Sequence, residues 1–220
     1  MINRLFKFTA FFLFLLAISP TVSATQEYCS VLPQGITPGR FSQPLFEVKT
    51  GYFFFSNSKM RKVYDRGGLD TQLCASYPLW NLTSRWILNA YAAVEYFYRS
   101  GKSIKGHQKT SLWSVPINIG LKPVYKINPS MQYYFAIGPR YFYIHQHNHS
   151  SYVYENKSRN GLGLFLNTGF NYVPCDHVVI DIFGEYSYAK IHFHTGKSGV
   201  YTRNIQISGF TFGAGIGYKF

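Results

Sequence analysis

From Leu45 onward, apolar and polar residues alternate with period two, and the alternation stops and restarts to give eight segments. The first, about Leu45 to Ser56, sets Phe46, Val48, Tyr52 and Phe54 against Glu47 and Lys49; the second, about Leu69 to Tyr77, sets Leu69, Leu73, Ala75 and Tyr77 against Asp70, Gln72, Cys74 and Ser76. In the third, Trp86, Leu88, Ala90, Ala92, Val94, Tyr96 and Tyr98 oppose Asn89, Tyr91, Glu95 and Arg99. Trp113, Val115, Ile117, Ile119 and Leu121 oppose Ser114, Asn118 and Gly120 in the fourth; Met131, Tyr133, Phe135, Ile137, Tyr141 and Tyr143 oppose Gln132, Tyr134, Gly138 and Arg140 in the fifth. The sixth sets Leu162, Leu164, Leu166, Phe170 and Tyr172 against Gly163, Asn167, Gly169 and Asn171, and the seventh sets Val178, Ile180, Ile182, Tyr186 and Tyr188 against Asp181, Glu185 and Ser187. The eighth, Phe210 to Phe220, places Phe210, Phe212, Ala214, Ile216, Tyr218 and Phe220 on one face and small or polar residues on the other. Successive strand side chains point to opposite faces, so each segment reads as a strand with one apolar face. Each is roughly 10 to 14 residues long, enough for a tilted membrane-crossing strand with a short extension.

The terminal segment, closing on Phe220 with Tyr218 two before it, resembles the last strand of bacterial outer-membrane β-barrels. The resemblance implies an all-β fold, an eight-stranded antiparallel up-and-down transmembrane β-barrel like the small OmpA, OmpX and OmpW-type proteins, with Phe220 read by the barrel-assembly machinery. It also implies long outer loops and short periplasmic turns. The spacing agrees: the connections after odd segments (57–68, 100–111, 145–160 and 191–204) are longer than those after even ones (78–85, 122–130 and 173–177). Tyr and Trp gather at segment ends, as in an interfacial aromatic girdle. Pro116 and Pro139 fit poorly, because a closed barrel has no edge for a residue without an N–H; local bulges or earlier strand ends are expected there.

Residues 1–24 read as a cleaved signal peptide, with Arg4 and Lys7 before an apolar run from Phe8 to Ile18 and the small-residue pattern Val22-Ser23-Ala24. Residues 25–44 then form a periplasmic lead-in and 45–220 the barrel. No second apolar run reaches the length of a membrane-spanning helix. Aromatic residues make up 19% of the chain and charged residues only 14%, with 19 Gly, which favours strands and turns over helices. Cys29, Cys74 and Cys175 lack the paired spacing of a zinc or redox motif; a Cys29 to Cys175 disulfide would tie the lead-in to the third turn on the periplasmic side, while Cys74 faces inward.

Eight strands leave a lumen that side chains fill. The inward parity collects Glu47, Lys49, Asp70, Glu95, Arg140, Asp181, Glu185 and Lys219, together with Phe53, Phe55, Phe97, Phe142, Phe165 and Phe183. The charges are expected to pair and plug the bore, the alternative being a narrow conduit for small solutes.

The outer connections are basic: Lys59, Arg61, Lys62 and Arg66; Lys102, Lys105 and Lys109; Lys157 and Arg159; Lys197 and Arg203, against Asp65 and Glu155 only. The expected partners are the lipid bilayer, lipopolysaccharide and an anionic surface ligand at these loops, with no nucleic acid, and the protein is expected to be a monomer. His145, His147, His149, His192 and His194 stand at i, i+2 spacing at the rims, a pattern compatible with imidazole ligation of Zn²⁺ or Cu²⁺; without carboxylate or Cys partners in register, no metal, cofactor or catalytic residue is assigned. Lipid A deacylases of similar barrel type carry a His-x-Ser motif before the last strand, and here that stretch reads His192-Phe-His194-Thr195. His149-Ser150-Ser151 with Glu155, and His194 with Ser198, have the residue types of a Ser/His/acid system, but an enzyme is not expected. The reading that follows is a structural or adhesive cell-surface protein. A soluble lipocalin-like barrel is the remaining class, and it requires the apolar face to point inward.

Overall fold

A computed structural model describes residues 43–64, 66–102, 109–148, 156–195 and 201–220. Eight antiparallel strands pair in chain order and close on themselves: β1 (Leu45–Phe55), β2 (Gly67–Asn81), β3 (Trp86–Lys102), β4 (Lys109–Lys126), β5 (Met131–Asn148), β6 (Asn156–Tyr172), β7 (Val178–Thr195) and β8 (Tyr201–Lys219). The closing seam runs from Leu45↔Lys219 to Phe55↔Gly209. At its foot the Phe220 amide donates to the Pro44 carbonyl at 3.2 Å, and the Phe220 ring packs on Phe46 and Tyr218. A fully paired sheet has no free edge, so every strand has a neighbour on both sides for its backbone groups.

The period-two pattern decides which face goes where. Phe46, Leu69, Tyr98, Ile119, Leu162, Ile182 and Phe212 lie exposed on the outer wall, while Glu47, Lys49, Asp70, Glu95, Arg140, Asp181 and Glu185 are buried in the lumen. All six inward phenylalanines are buried as their parity requires. This inside-out distribution is the one a bilayer-crossing barrel needs and the opposite of a lipocalin-like barrel.

The strands are longer than the apolar pattern suggests. β2 spans 15 residues and β8 spans 19, and only β1, with 11, keeps the expected length. The extra pairs lie mostly at the end opposite the barrel termini, where the connections expected at 100–111, 145–160 and 191–204 shrink to 103–108, 149–155 and 196–200. Backbone pairing continues above the apolar band, where side chains no longer alternate in polarity and the sequence signal fades. The connection between β1 and β2 instead contains a short helix, α1 (Ser58–Tyr64), which sequence periodicity did not reveal.

Neither Pro116 nor Pro139 produces a register shift. Around Pro116, β3–β4 pairing skips from Val94↔Ile117 to Phe97↔Ser114, while Pro116 remains paired with Phe142 of β5. Around Pro139, β4–β5 pairing skips from Asn118↔Arg140 to Leu121↔Ile137, while Pro139 remains paired with Leu164 of β6. Each missing N–H therefore opens one short gap on one side of its strand and the register is kept. The recorded bulge is at Pro78–Trp80, in a stretch expected to be a turn. Gly120 and Gly138 face each other across the second gap, and a Cβ on either would strike the backbone carbonyl of Ile137 or Ile119.

Candidate functional site

Two features of the barrel carry charge: the lumen and the rim above it. In the half of the lumen nearer the barrel termini, Lys49 Nζ lies 2.6 Å from Asp181 Oδ2 and 3.5 Å from Glu47 Oε1, and Lys122 Nζ lies 2.9 Å from Glu47 Oε2. The Tyr134 hydroxyl accepts from Lys49 at 3.1 Å and donates to Asp181 at 3.0 Å. Its ring lies under the Lys122 ammonium, 4.2 Å away, adding a cation–π contact. Two ammonium groups face two carboxylates in this layer.

Further from the termini, Arg140 reaches Glu95 through both terminal nitrogens, at 2.9 and 2.5 Å, and also pairs with Glu185. The Asn118 amide donates to Glu95 and the Asn167 amide to Glu185, at 2.5 and 2.9 Å. Asp70 completes the layer, accepting from Gln72 at 3.1 Å. One guanidinium here serves three carboxyl groups. The layers are stacked along the strands, since Asp181 and Glu185 share β7 while Tyr91 and Glu95 share β3. A polar ladder links them: Tyr91 donates to Cys74 Sγ at 3.3 Å, the thiol donates to Gln72 at 4.0 Å, and Gln72 donates to Asp70.

Beyond the second layer, Phe53, Phe55, Phe97, Leu112, Phe142, Ile144 and Ile207 form an apolar tier capped by Met60 and Tyr64 of α1. Met60 and Tyr64 are one helical turn apart and so share the face that covers the lumen. The Tyr64 hydroxyl lies 3.4 Å from Thr110 Oγ1; burial pushes its ionisation above the usual phenol range, partly offset by that hydrogen bond. Arg99 Nε donates to the Tyr64 carbonyl at 3.3 Å and fixes the helix end to β3. A void of about 40 Å³ lies against Lys122 and Lys219, and one of about 30 Å³ lies against Asp70, Arg140 and the phenylalanines. Each has room for only one or two waters.

Of the expected lumenal charges, Glu47, Lys49, Glu95, Arg140, Asp181 and Glu185 meet as ion pairs, Asp70 accepts a hydrogen bond from Gln72, and Lys219 is only half-buried, at the mouth of the first void. Lys122 was expected in a turn. It is fully buried on β4, and its shared parity with Asn118 and Gly120 is the signal that points inward.

Most of the basic residues expected in loops stand on regular elements. Arg61 and Lys62 are on α1, Lys102 on β3, Lys109 on β4, and Lys157 and Arg159 on β6. Arg203 is on β8, while Asp65, Lys105, Glu155 and Lys197 lie outside the described residues. His145 and His147 belong to β5 with outward parity. His145 Nδ1 is 2.7 Å from Ser158 Oγ, and its ring packs on Trp113. His149 and the side chains of His192 and His194 lie outside the described residues. Among the described residues no group of three or more His, Cys, Asp or Glu side chains is arranged to hold a metal. Cys175 is disulfide-bonded and Cys74 is a buried free thiol; Cys29, the expected partner of Cys175, lies outside the described residues.

No protein-family model and no curated protein matches this sequence. Solved structures do match in fold. The attachment invasion locus protein Ail of Yersinia pestis, in complex with the heparin analogue sucrose octasulfate, aligns at 16% identity over 81% of this chain and 98% of its own, with a TM-score of 0.52. Neisserial surface protein A aligns at 14% identity over 80% of this chain and 97% of its own, with a TM-score of 0.52. At these identities the likeness concerns the eight-stranded barrel alone.

Proposed function

We propose that this chain is an outer-membrane surface protein: exported by its signal peptide, inserted as a monomeric barrel, closed by its stacked lumenal layers, and acting as a rigid mount for a basic rim that engages anionic surfaces. The observation that carries the reading is the inverted polarity of the barrel, in which Leu69, Ile119, Leu162, Ile182 and Ile216 are each more than 60% exposed while eight charged side chains are nearly sealed inside. Water penalises both halves of that arrangement, and a bilayer outside a packed lumen favours both. The two ends of the barrel, at Leu45 and Phe220, and the tight turns then face the periplasm and α1 faces outward. The ion-paired layers and aromatic tier support a plug over a conduit. Arg61, Lys62 and Arg66 are exposed on and beside α1, and Ail, similar in fold, was crystallised with a sulfated glycan analogue, which makes a sulfated polyanion the first ligand to try at the rim.

Fractionation and a cold SDS gel test the membrane reading. The protein is expected in the outer-membrane fraction, with the unboiled sample migrating apart from the boiled one. Identical migration together with release into the soluble periplasmic fraction overturns it. Swelling of liposomes that contain the folded protein would overturn the plug and favour the conduit.

One observation supports a second reading, a lipid-modifying hydrolase: the His145–Ser158 contact lies on the outer wall beside the aromatic girdle, where acyl chains would be within reach. Loss of acyl groups from lipid A on expression of the wild type, abolished in Ser158→Ala, would establish it. Unchanged lipid A would remove it.

A further inference from the structure

The β3–β4 ladder ends on an unfavourable pair. Its last register position sets Lys102 directly opposite Lys109, and both side chains are exposed. Their parity is that of Tyr98 and Trp113, which are also cross-strand partners, so the two ammonium groups stand on the outer wall, not over the lumen. Like charges placed directly opposite in an antiparallel pair destabilise it. The pairing nevertheless continues past Ser100↔Ser111 to reach them.

Nothing nearby in sequence neutralises the pair. From Tyr96 to Tyr154 the chain has no Asp or Glu, while it carries Arg99, Lys102, Lys105, Lys109, Lys122, Lys126 and Arg140. On the far side of β3, α1 adds the exposed Arg61 and Lys62. Trp113, packed 5.3 Å from both Tyr143 and His145, belongs to an aromatic cluster on the same wall. Girdle aromatics mark headgroup level. Four residues along a tilted strand put the lysines about 10 Å above them. That is the level of phosphorylated sugars at a leaflet surface, within reach of flexible lysine stems.

We propose that Lys102 and Lys109 form a two-pronged clamp for a phosphate group borne by a phosphorylated glycolipid of the outer leaflet. One phosphate carries enough negative charge to satisfy both ammonium groups and turns the repulsive pair into a bridged one. The wall position favours a lipid-borne phosphate over a soluble anion, which would approach from the open rim. The inference rests on the membrane reading above.

The test uses the full mature protein in phosphatidylcholine nanodiscs doped with either bisphosphorylated lipid A or its dephosphorylated form, with co-retained glycolipid counted by native mass spectrometry. Cold-gel migration from undoped nanodiscs checks insertion independently, so a failure of the membrane reading is seen separately. The phosphorylated lipid is expected to be retained at least about tenfold better by the wild type and by Lys102→Arg/Lys109→Arg. Lys102→Ala/Lys109→Ala should lose that preference, and Lys190→Ala, an exposed β7 lysine elsewhere on the wall, should keep it. Lys102→Glu replaces repulsion with a cross-strand ion pair, so its barrel should resist urea in undoped nanodiscs at least as well as wild type while losing the lipid. Equal retention of the two lipids, an equal loss in Lys190→Ala, or full retention in Lys102→Glu overturns the proposal.

Discussion

The two ionic layers of the lumen differ in stoichiometry. Around Lys49, two ammonium groups meet two carboxylates and a tyrosine hydroxyl mediates between them. Around Arg140, one guanidinium is shared by Glu95 and Glu185, with Asp70 alongside and asparagine amides making up the missing donors. Burial is nearly complete in both layers, so the difference is one of charge count and not of exposure. In the balanced layer each charge is needed by its opposite. In the carboxylate-rich layer the arginine is indispensable, and any one acid is less so.

Arg140→Met tests that contrast most severely. It leaves three buried carboxyl groups without their cation, and a loss of about 3–5 kcal/mol is expected, enough to prevent refolding into lipid vesicles as judged by gel shift. Partial rescue by adding Glu95→Gln would show that the cost is uncompensated charge and not lost volume. Asp181→Asn comes next: Lys49 then shares Glu47 with Lys122, and urea unfolding in vesicles should show a loss of about 2–3 kcal/mol. Gly138→Ala forces a Cβ against the Ile119 carbonyl where Pro139 has already opened the β4–β5 ladder, and about 2 kcal/mol should go in the same assay. Glu185→Gln should cost about 1 kcal/mol or less, because the hydrogen bonds it weakens are offset by relief of like charge in the carboxylate-rich layer. If Asp181→Asn is tolerated and Glu185→Gln is not, the contrast between the layers is wrong.

Side-chain direction was legible because a strand offers only two faces. Once Phe46 and Val48 are outside, Glu47 and Lys49 have to be inside, and the same logic placed Asp70, Glu95, Arg140, Asp181, Glu185 and the six phenylalanines. Strand ends were less legible, because above the apolar band both faces meet polar surroundings and alternation vanishes although hydrogen bonding persists. Lys122, at the opposite end of β4, was missed because 122–130 reads as a turn, although Lys122 shares the inward parity of Asn118 and Gly120. The helix α1 was invisible because seven residues give too few turns for a helical period, and Met60 and Tyr64 alone mark its buried face.

The amino-acid sequence determined that this chain makes strands with one apolar and one polar face, how many there are, and which residues share the lumen, since alternation is a local property of an extended backbone. Only the closed tertiary structure decided which charges meet: Glu95 of β3, Arg140 of β5 and Glu185 of β7 become partners, and Lys102 comes to face Lys109, through strand register and barrel closure. Those are non-local, set by how eight strands stagger around one narrow bore.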